Sequence, residues 1–573
     1  MTSSPHKKRW NLFFLPRILS RREFLLFTGF IIIGIIGVLG VFKEINRAFS
    51  FEIPAHGGTL REGIVGNPRL MNPLLAQTDA DRDAVALTYA GLLRRDGDGN
   101  LLPALADHYD VSPDGLEYTF VLKEDLRWSD GERITASDVA FTIRLAKNPL
   151  IQSPRRAQWE GIEAEEVNSR TVVFRLKKAY IPFLGNTTLG ILPKHIWEDV
   201  PPSQFPLVDI NTKPVGAGPY HLSSVSNDSK GSITSITLKA NAHYALKKPY
   251  IDTVLLRFYS TKETLLKDLQ NNAIDSAGAF SPQYARLINK EHSVVNDIGL
   301  QRVIAIFLNQ SKVKALSNLK VRQALNQSID RNRILQEVLD QHGTTINGPF
   351  PPNIVAPLFL SRATSTPPDI DRIKKNLTDA LRASMPKPKK GTPAQSGELA
   401  INLVTASNTP ELTKTAELVK DMWAQIGVTT NIETFPQDEL EQSVIGPRRY
   451  DAFLYGEEVI GNDPDPFAFW HSSQRTHPGL NIALYANASV DGLLEKVRTE
   501  QNIEKRRRLY EQTYNEISKD IPAFFLYTPS YIYITPVELD GMNIHHINTG
   551  SDRFSDIHQW YLQTDYIWKF LAQ

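Results

Sequence analysis

Reactive side chains are plentiful in this 573-residue chain, but few stand at spacings that do chemistry. A phosphate-cradling loop needs Gly-Lys, and that dipeptide does not occur. Gly216-Ala217-Gly218-Pro219-Tyr220-His221 opens like a dinucleotide loop. It lacks the third glycine, and Pro219 removes an amide the phosphate would need, so it reads as a structural turn. Neither a G-x-S-x-G elbow nor an H-E-x-x-H helix is present. Ser317 with Lys320 fits Ser-x-x-Lys, a pattern short enough to arise by chance, and Ser317 reads as a helix cap. Asp96-Gly97-Asp98-Gly99-Asn100 begins like a calcium loop, yet Leu101 stands where that loop needs glycine and Asp107 where it needs glutamate. A polar hairpin loop fits better. His545 and His546 are adjacent, so on a strand they face opposite sides and share no metal. The chain has no cysteine, which excludes thiolate catalysis, disulfides and a lipid-modified cysteine. The expectation is a protein that does no covalent chemistry, with no metal site and no cofactor.

The elements that position the rest of the chain begin at its N-terminal end. Phe24 to Phe42 runs for 19 residues without a charge, about 28 Å as a helix, close to the ~30 Å of a hydrocarbon core. Lys7, Lys8, Arg9, Arg17, Arg21 and Arg22 precede it, so the N-terminus is expected in the cytoplasm and the bulk of the chain outside. The run is longer than the ~7–15 residues of a signal peptide. Lys43, Glu44 and Arg47 come directly after it, before any small-residue cleavage site, which favours a retained anchor. Residues 1–23 carry a net +5 of the chain's +1, leaving −4 beyond them, no general electrostatic reason to hold nucleic acid.

After a spacer expected over 43–56, strand and helix signals alternate to the end. Val111-Ser112-Pro113-Asp114-Gly115 predicts a turn, and Tyr118, Phe120 and Leu122 share one face of the strand behind it. Thr135 to Asp138 resembles a capping box opening a helix through Val139, Phe141 and Ile143. Thr171 to Leu176 alternates as a strand. Val321, Ala324, Leu325 and Ile329 have helical spacing, and Asp330 is placed to cap a second helix. Leu412, Ala416, Val419, Met422, Trp423 and Ile426 predict an amphipathic helix that Gly427 stops before the β-branched run from Val428. That order argues for an α/β layered domain. Ser361 to Gly397, rich in Pro, Lys and Ser around one short helical piece, reads as a surface excursion.

Several stretches resemble the family 5 extracellular solute-binding proteins, the dipeptide- and oligopeptide-binding components of bacterial ABC importers. Gly58 to Gly63 with Leu70-Met71-Asn72-Pro73 is similar to the family's first strand and loop. Tyr89 to Val139 matches its signature throughout, including Pro103-Ala104-Leu105-Ala106 and Trp128-Ser129-Asp130-Gly131. Gly216 to Tyr220, Asn241 to Pro249, Asn271 to Asp275, Asn318 to Arg331 and Asp463-Pro464-Asp465-Pro466-Phe467 come in the family's order.

The resemblance implies a two-lobed periplasmic-binding-protein-like α/β fold of type II with an extra subdomain, behind a single transmembrane helix. Lobe I would comprise 57–302 and 529–573, with the subdomain near 92–212, and lobe II 303–528. Strands near Val303 to Phe307 and Phe524 to Tyr527 would form the hinge. It implies capture of a short peptide by lobe closure and delivery to ABC permease subunits, by a protein expected to be monomeric. A tethered sensor or binding module for a sugar, haem or metal chelate is the alternative. In peptide-binding relatives an acid just upstream of the D-P-D loop receives the ligand's amino terminus. Here Ile460 aligns with that acid, and Glu457, Glu458 or Asp463 would have to substitute. Glu458, Asp463, Asn309, Tyr527 and Tyr455 are the residues expected to line the site.

Overall fold

The computed structural model describes residues 20–354, 368–384, 398–459, 461 and 463–568. The basic stretch up to residue 19, most of the excursion between Ser361 and Gly397, and Ile460 lie outside the described residues.

Ser20 caps a helix spanning Arg21–Phe49, in a reciprocal pair with Glu23. Its section Arg22–Val41 has a mean hydropathy of 2.7, and none of it is buried among the described residues. Such a surface is stable only in an apolar surrounding or in a partner's keeping. Residues 43–56, expected as a spacer, are ordered otherwise. The helix continues to Phe49, and Ser50–Ala55 is a strand whose antiparallel partner is Gln563–Trp568, with Ser50 opposite Trp568 and Ala55 opposite Gln563. Two segments more than 500 residues apart in sequence therefore lie side by side.

Two layered α/β halves come next. In the first, Thr59–Val65 lies between the parallel strands Thr253–Tyr259 and Ser276–Phe280, and the hairpin Tyr220–Asn227/Ile233–Ala240 extends the sheet. In the second, Leu399–Ala406 is parallel to Val428–Phe435 and Ala452–Glu458, and Arg302–Leu308 is antiparallel to the last. The helix Pro410–Gln425 makes the crossover between Leu399–Ala406 and Val428–Phe435. Gly427 turns the chain at φ +86°, a backbone conformation that side chains oppose.

The 14-residue strand Ala523–Pro536 belongs to both halves. Its beginning pairs with Arg302–Leu308, as Tyr527 opposite Ile304, and its end with Ser293–Leu300, as Ser530 opposite Gly299. One buried apolar cluster holds only residues from Val303 to Tyr527. The crossing at residues 300–302 and 528–530 is thus where the chain passes from one core to the other.

Inserted in the first half is a four-stranded antiparallel sheet in the order Ala106–Val111, Glu117–Leu122, Thr171–Leu176, Ile162–Asn168. Helix Ala136–Lys147 joins Tyr118, Phe120, Trp159 and Phe174 in one buried cluster on this sheet, and Asp138 accepts the Thr135 N–H at its start. One expected cap differs. Asn318, not Ser317, starts the helix Leu319–Gln327, because its Oδ1 accepts the Lys320 N–H while the Ser317 hydroxyl donates back to Lys314.

Candidate ligand cleft

Beyond the shared strand, the halves meet through the loop that leaves strand Ala452–Glu458. Val459 N donates to Gln301 O at the crossing (2.9 Å), and Gly461 N to the Asn548 side chain (2.8 Å). Gly461 stands at φ +73°, and a Cβ there would come within 2.5 Å of the Arg95 guanidinium. Further along, Asp465 accepts the Tyr180 hydroxyl from the inserted subdomain (3.1 Å) and two guanidinium nitrogens of Arg498 (2.6 and 3.0 Å). Arg498 also lies 4.0 Å over the Phe467 ring, and its carbonyl accepts the Ile181 N–H. Gln501 donates to the carbonyls of Ser112 and Pro113. The halves are therefore closed on each other. A solvent-open groove of about 750 Å³ lies between Pro113 and Ala179 of one half and Lys496 and Lys505 of the other.

Tyr180→Phe removes one hydrogen bond of this contact and leaves the ring. A typical bond contributes about 0.5–1.5 kcal/mol, so the closed form should weaken by a few-fold while the melting temperature stays within a degree or two. Inter-lobe distance distributions by fluorescence energy transfer measure it; an unchanged distribution would dismiss the contact as a latch.

Behind the loop lie the charges. Arg95, on strand Leu93–Arg95, is wedged between Gly185 and Gly461 and donates to Gly99 O (3.0 Å). Arg155 comes after a turn that Ser153 pins through its hydroxyl to Leu74 O (2.7 Å). Burial, then neighbouring Arg82, lowers the pKa of Arg155, opposed by Asp552 and by Glu458 of the other half. Burial likewise lowers that of Arg95, opposed by Asp552 and Asp463.

Of the five expected residues, Glu458 stands at this place. It ends its strand opposite Arg302, half-buried, and its carboxylate makes no hydrogen bond or ion pair among the described residues. Asp463 is in the loop, but its carboxylate is taken by Arg506 (2.7 and 2.8 Å) and the Tyr510 hydroxyl (2.7 Å), so it anchors the loop within its own half. The other three stand elsewhere. Asn309 lies past the far end of strand Arg302–Leu308, where its N–H donates to Asp451 O, its amide nitrogen to Arg448 O, and its Oδ1 accepts from Lys312. Tyr527, 2% exposed, points into the core against Thr415. Tyr455 stacks on Phe453 at 5.0 Å and accepts from Gln437 within the second half. Each is a polar side chain whose partner comes from its own lobe. Glu457 is also interior. Its Oε1 accepts the Trp470 indole N–H, and burial raises its pKa well above the usual carboxylate range. Reading the sequence missed Arg95, Arg155, Arg498 and Asn548; no spacing pattern links them.

Two α/β halves joined by a strand they share, and in contact through the loop after Ala452–Glu458, define a hinged solute-binding protein. The family model described as bacterial extracellular solute-binding proteins, family 5 Middle, matches residues 100–478, and the chain belongs to that family. It is 27% identical over 543 residues to the oligopeptide-binding protein AppA of Bacillus subtilis, covering 90% of this chain and 96% of that one. The structure of that AppA in complex with a nonapeptide covers 89% of this chain and all of its own, with 26% identity and a TM-score of 0.66. NikZ of Campylobacter jejuni in complex with Ni(L-His) covers 88% of this chain and 99% of its own, with 25% identity and a TM-score of 0.65.

Proposed function

We propose that this chain is the capture component of an ABC importer for short peptides, holding its ligand between the lobes and presenting the closed form to permease subunits. The observation that carries the reading is the loop over 459–466, which reaches from one half to Asn548, Arg95 and Tyr180 of the other. The bodies that move are 57–302 with 529–573, and 303–528, turning about the crossing strands. Hinge closure of this kind needs only a few backbone torsions to change. An enclosed peptide must have its amides paired, at about 1–3 kcal/mol for each left unpaired, so main-chain pairing with the cleft supplies affinity and leaves side chains loosely read. No step of bond making is assigned. The helix Arg21–Phe49 is read as a retained anchor with the lobes on the extracytoplasmic side, and the protein works as a monomer.

A thermal-shift screen of the full chain in detergent tests this with di- to octapeptides beside sugars, haem and nickel chelates. Ligand at 100 times its Kd should stabilise by about 2.7 kcal/mol and raise the melting temperature by about a degree or more. A shift from another class with silence from every peptide would discard peptides and leave solute capture standing. Silence from all of them would move the reading to an interaction module.

A further inference from the structure

Ser50–Ala55 and Gln563–Trp568 pair with each other and with no third strand among the described residues. Two strands alone are marginally stable in water. At the end next to the helix, both faces of this ribbon carry apolar side chains. Phe51 and Ile53 lie on one face, with Ile567 opposite Phe51, and Trp568 and Tyr566 lie on the other. Phe49, Phe51, Ile53, Tyr566 and Trp568 are each 37–57% exposed. Toward the lobes Gln563–Trp568 turns polar, through Asp565, Thr564 and Gln563. The ribbon is rooted in lobe I directly afterwards, where His56 Nδ1 donates to Pro249 O (3.1 Å) and Gly57 N to Tyr250 O (2.8 Å).

The gradient has a direction. Its apolar end adjoins the helix Arg21–Phe49, which contains the span Arg22–Val41, and its polar end adjoins the lobes. From Val41 to Phe49 the helix rises about 12 Å, and headgroups occupy roughly 5–8 Å outside the hydrocarbon on each side. A ribbon that starts there needs only to lean over to lay its aromatic end in that layer. Trp and Tyr favour it because the ring is apolar while its N–H or O–H meets water. Tyr566 has that character, its hydroxyl donating to Glu52 (2.8 Å) while the residue stays exposed. Hydrocarbon itself is closed to the ribbon, since the outer edges of two strands must find water or headgroup oxygens.

Resting on the anchor reading above, we propose that the helix-side end of this ribbon docks on the headgroup layer of the membrane its own helix spans. Phe51, Ile53 and Trp568 enter that layer, and the polar end stays in water. Lobe I, which roots both strands, is thereby held at the bilayer surface, and lobe II is the body that swings.

The chain has no cysteine, so a single introduced one can carry a nitroxide label. The full chain is reconstituted in vesicles of phosphatidylcholine and phosphatidylglycerol, with the label at Leu39→Cys, Ile53→Cys or Thr564→Cys. Collisions with oxygen, which concentrates in lipid, and with a water-soluble nickel chelate report its depth. Position 39 should be reached by oxygen alone and position 564 mainly by the chelate, with position 53 between them at headgroup depth. Phe51→Ser combined with Trp568→Ser should shift position 53 to the values of position 564. If position 53 of the otherwise native chain already matches 564 while 39 stays in lipid, docking is overturned and the anchor stands. A label at 53 shielded from both reagents means that protein, a second copy or a partner, covers the face, and also overturns it. So does a depth at 53 that survives the double substitution, which would come from the tether alone. Exposure of position 39 to the chelate removes the anchor reading and this proposal with it.

Discussion

Arg553→Met should cost the fold about 3–5 kcal/mol, more than any cleft substitution, because it strands two interior carboxylates. Arg553 is 2% exposed and donates to Glu62 at 2.8 and 3.1 Å and to Asp83 at 2.7 and 2.9 Å, with Gly550 O as a further acceptor. Glu62, on the central strand Thr59–Val65, also accepts the hydroxyls of Tyr533 (2.9 Å) and Ser276. One guanidinium thus serves two acids on a strand and a helix, and the C-terminal segment that carries it is tied into the first lobe.

Burial pushes the Asp83 carboxyl up to about 6, from 3.8 as its ordinary value, against the pull of Arg553 and with Glu62 adding to the rise. Between those two values the folded protein binds the proton more tightly than the unfolded chain, so this group makes stability rise as pH falls from 7 through 6 toward 4. Asp83→Asn should flatten that segment of the profile. In Arg553→Met the pull that opposes this rise is gone and Asp83 takes its proton more readily, so the loss should be smaller at pH 5 than at pH 7. Denaturant midpoints followed by circular dichroism at pH 5, 6 and 7 measure both. A loss from Arg553→Met below about 1 kcal/mol at pH 7, or one that grows toward pH 5, would show that the cluster is not held as described.

The second large effect should fall on ligand binding rather than on the fold. Gly461→Val places a β-branched side chain at φ +73°, at a cost of about 1–3 kcal/mol, and its Cβ lands on the Arg95 guanidinium. Arg95 is able to swing aside, so the backbone carries most of the penalty. Where the open form relieves that strain, the penalty is charged to closure, and apparent affinity should drop about 5- to 150-fold. The ligand-free melting temperature should change little, since Gly461 lies in a loop outside both cores. Titration with whichever ligand the screen identifies, paired with small-angle scattering for compaction, reads the effect. Native affinity in Gly461→Val would mean that the loop does not close on Arg95 when ligand binds.

Much of the fold was legible because its signals are local. The turn at Pro113-Asp114-Gly115 and the alternation after it predict Glu117–Leu122, and the apolar period predicts Pro410–Gln425. Asp330 caps Arg331–Glu337 by accepting the Arg333 N–H three residues on, a bond that needs no distant partner. The family resemblance, too, is a linear order of short stretches, and it survives without coordinates. The cleft is another matter. Arg95 and Asn548 come from distant parts of the first half and meet only at Gly461 of the second, a juxtaposition that the tertiary fold alone makes. Asp463 was a candidate because it stands beside the position where the family resemblance expects an acid, while its partner Arg506 comes from a later helix. Tyr527 alternates correctly for a strand, but alternation names two faces and does not say which one a helix covers. Period and turn chemistry are properties of adjacent residues, so the chain alone determined them. Whether a polar side chain is spent on its own lobe or left for a ligand depends on what the tertiary fold places opposite it.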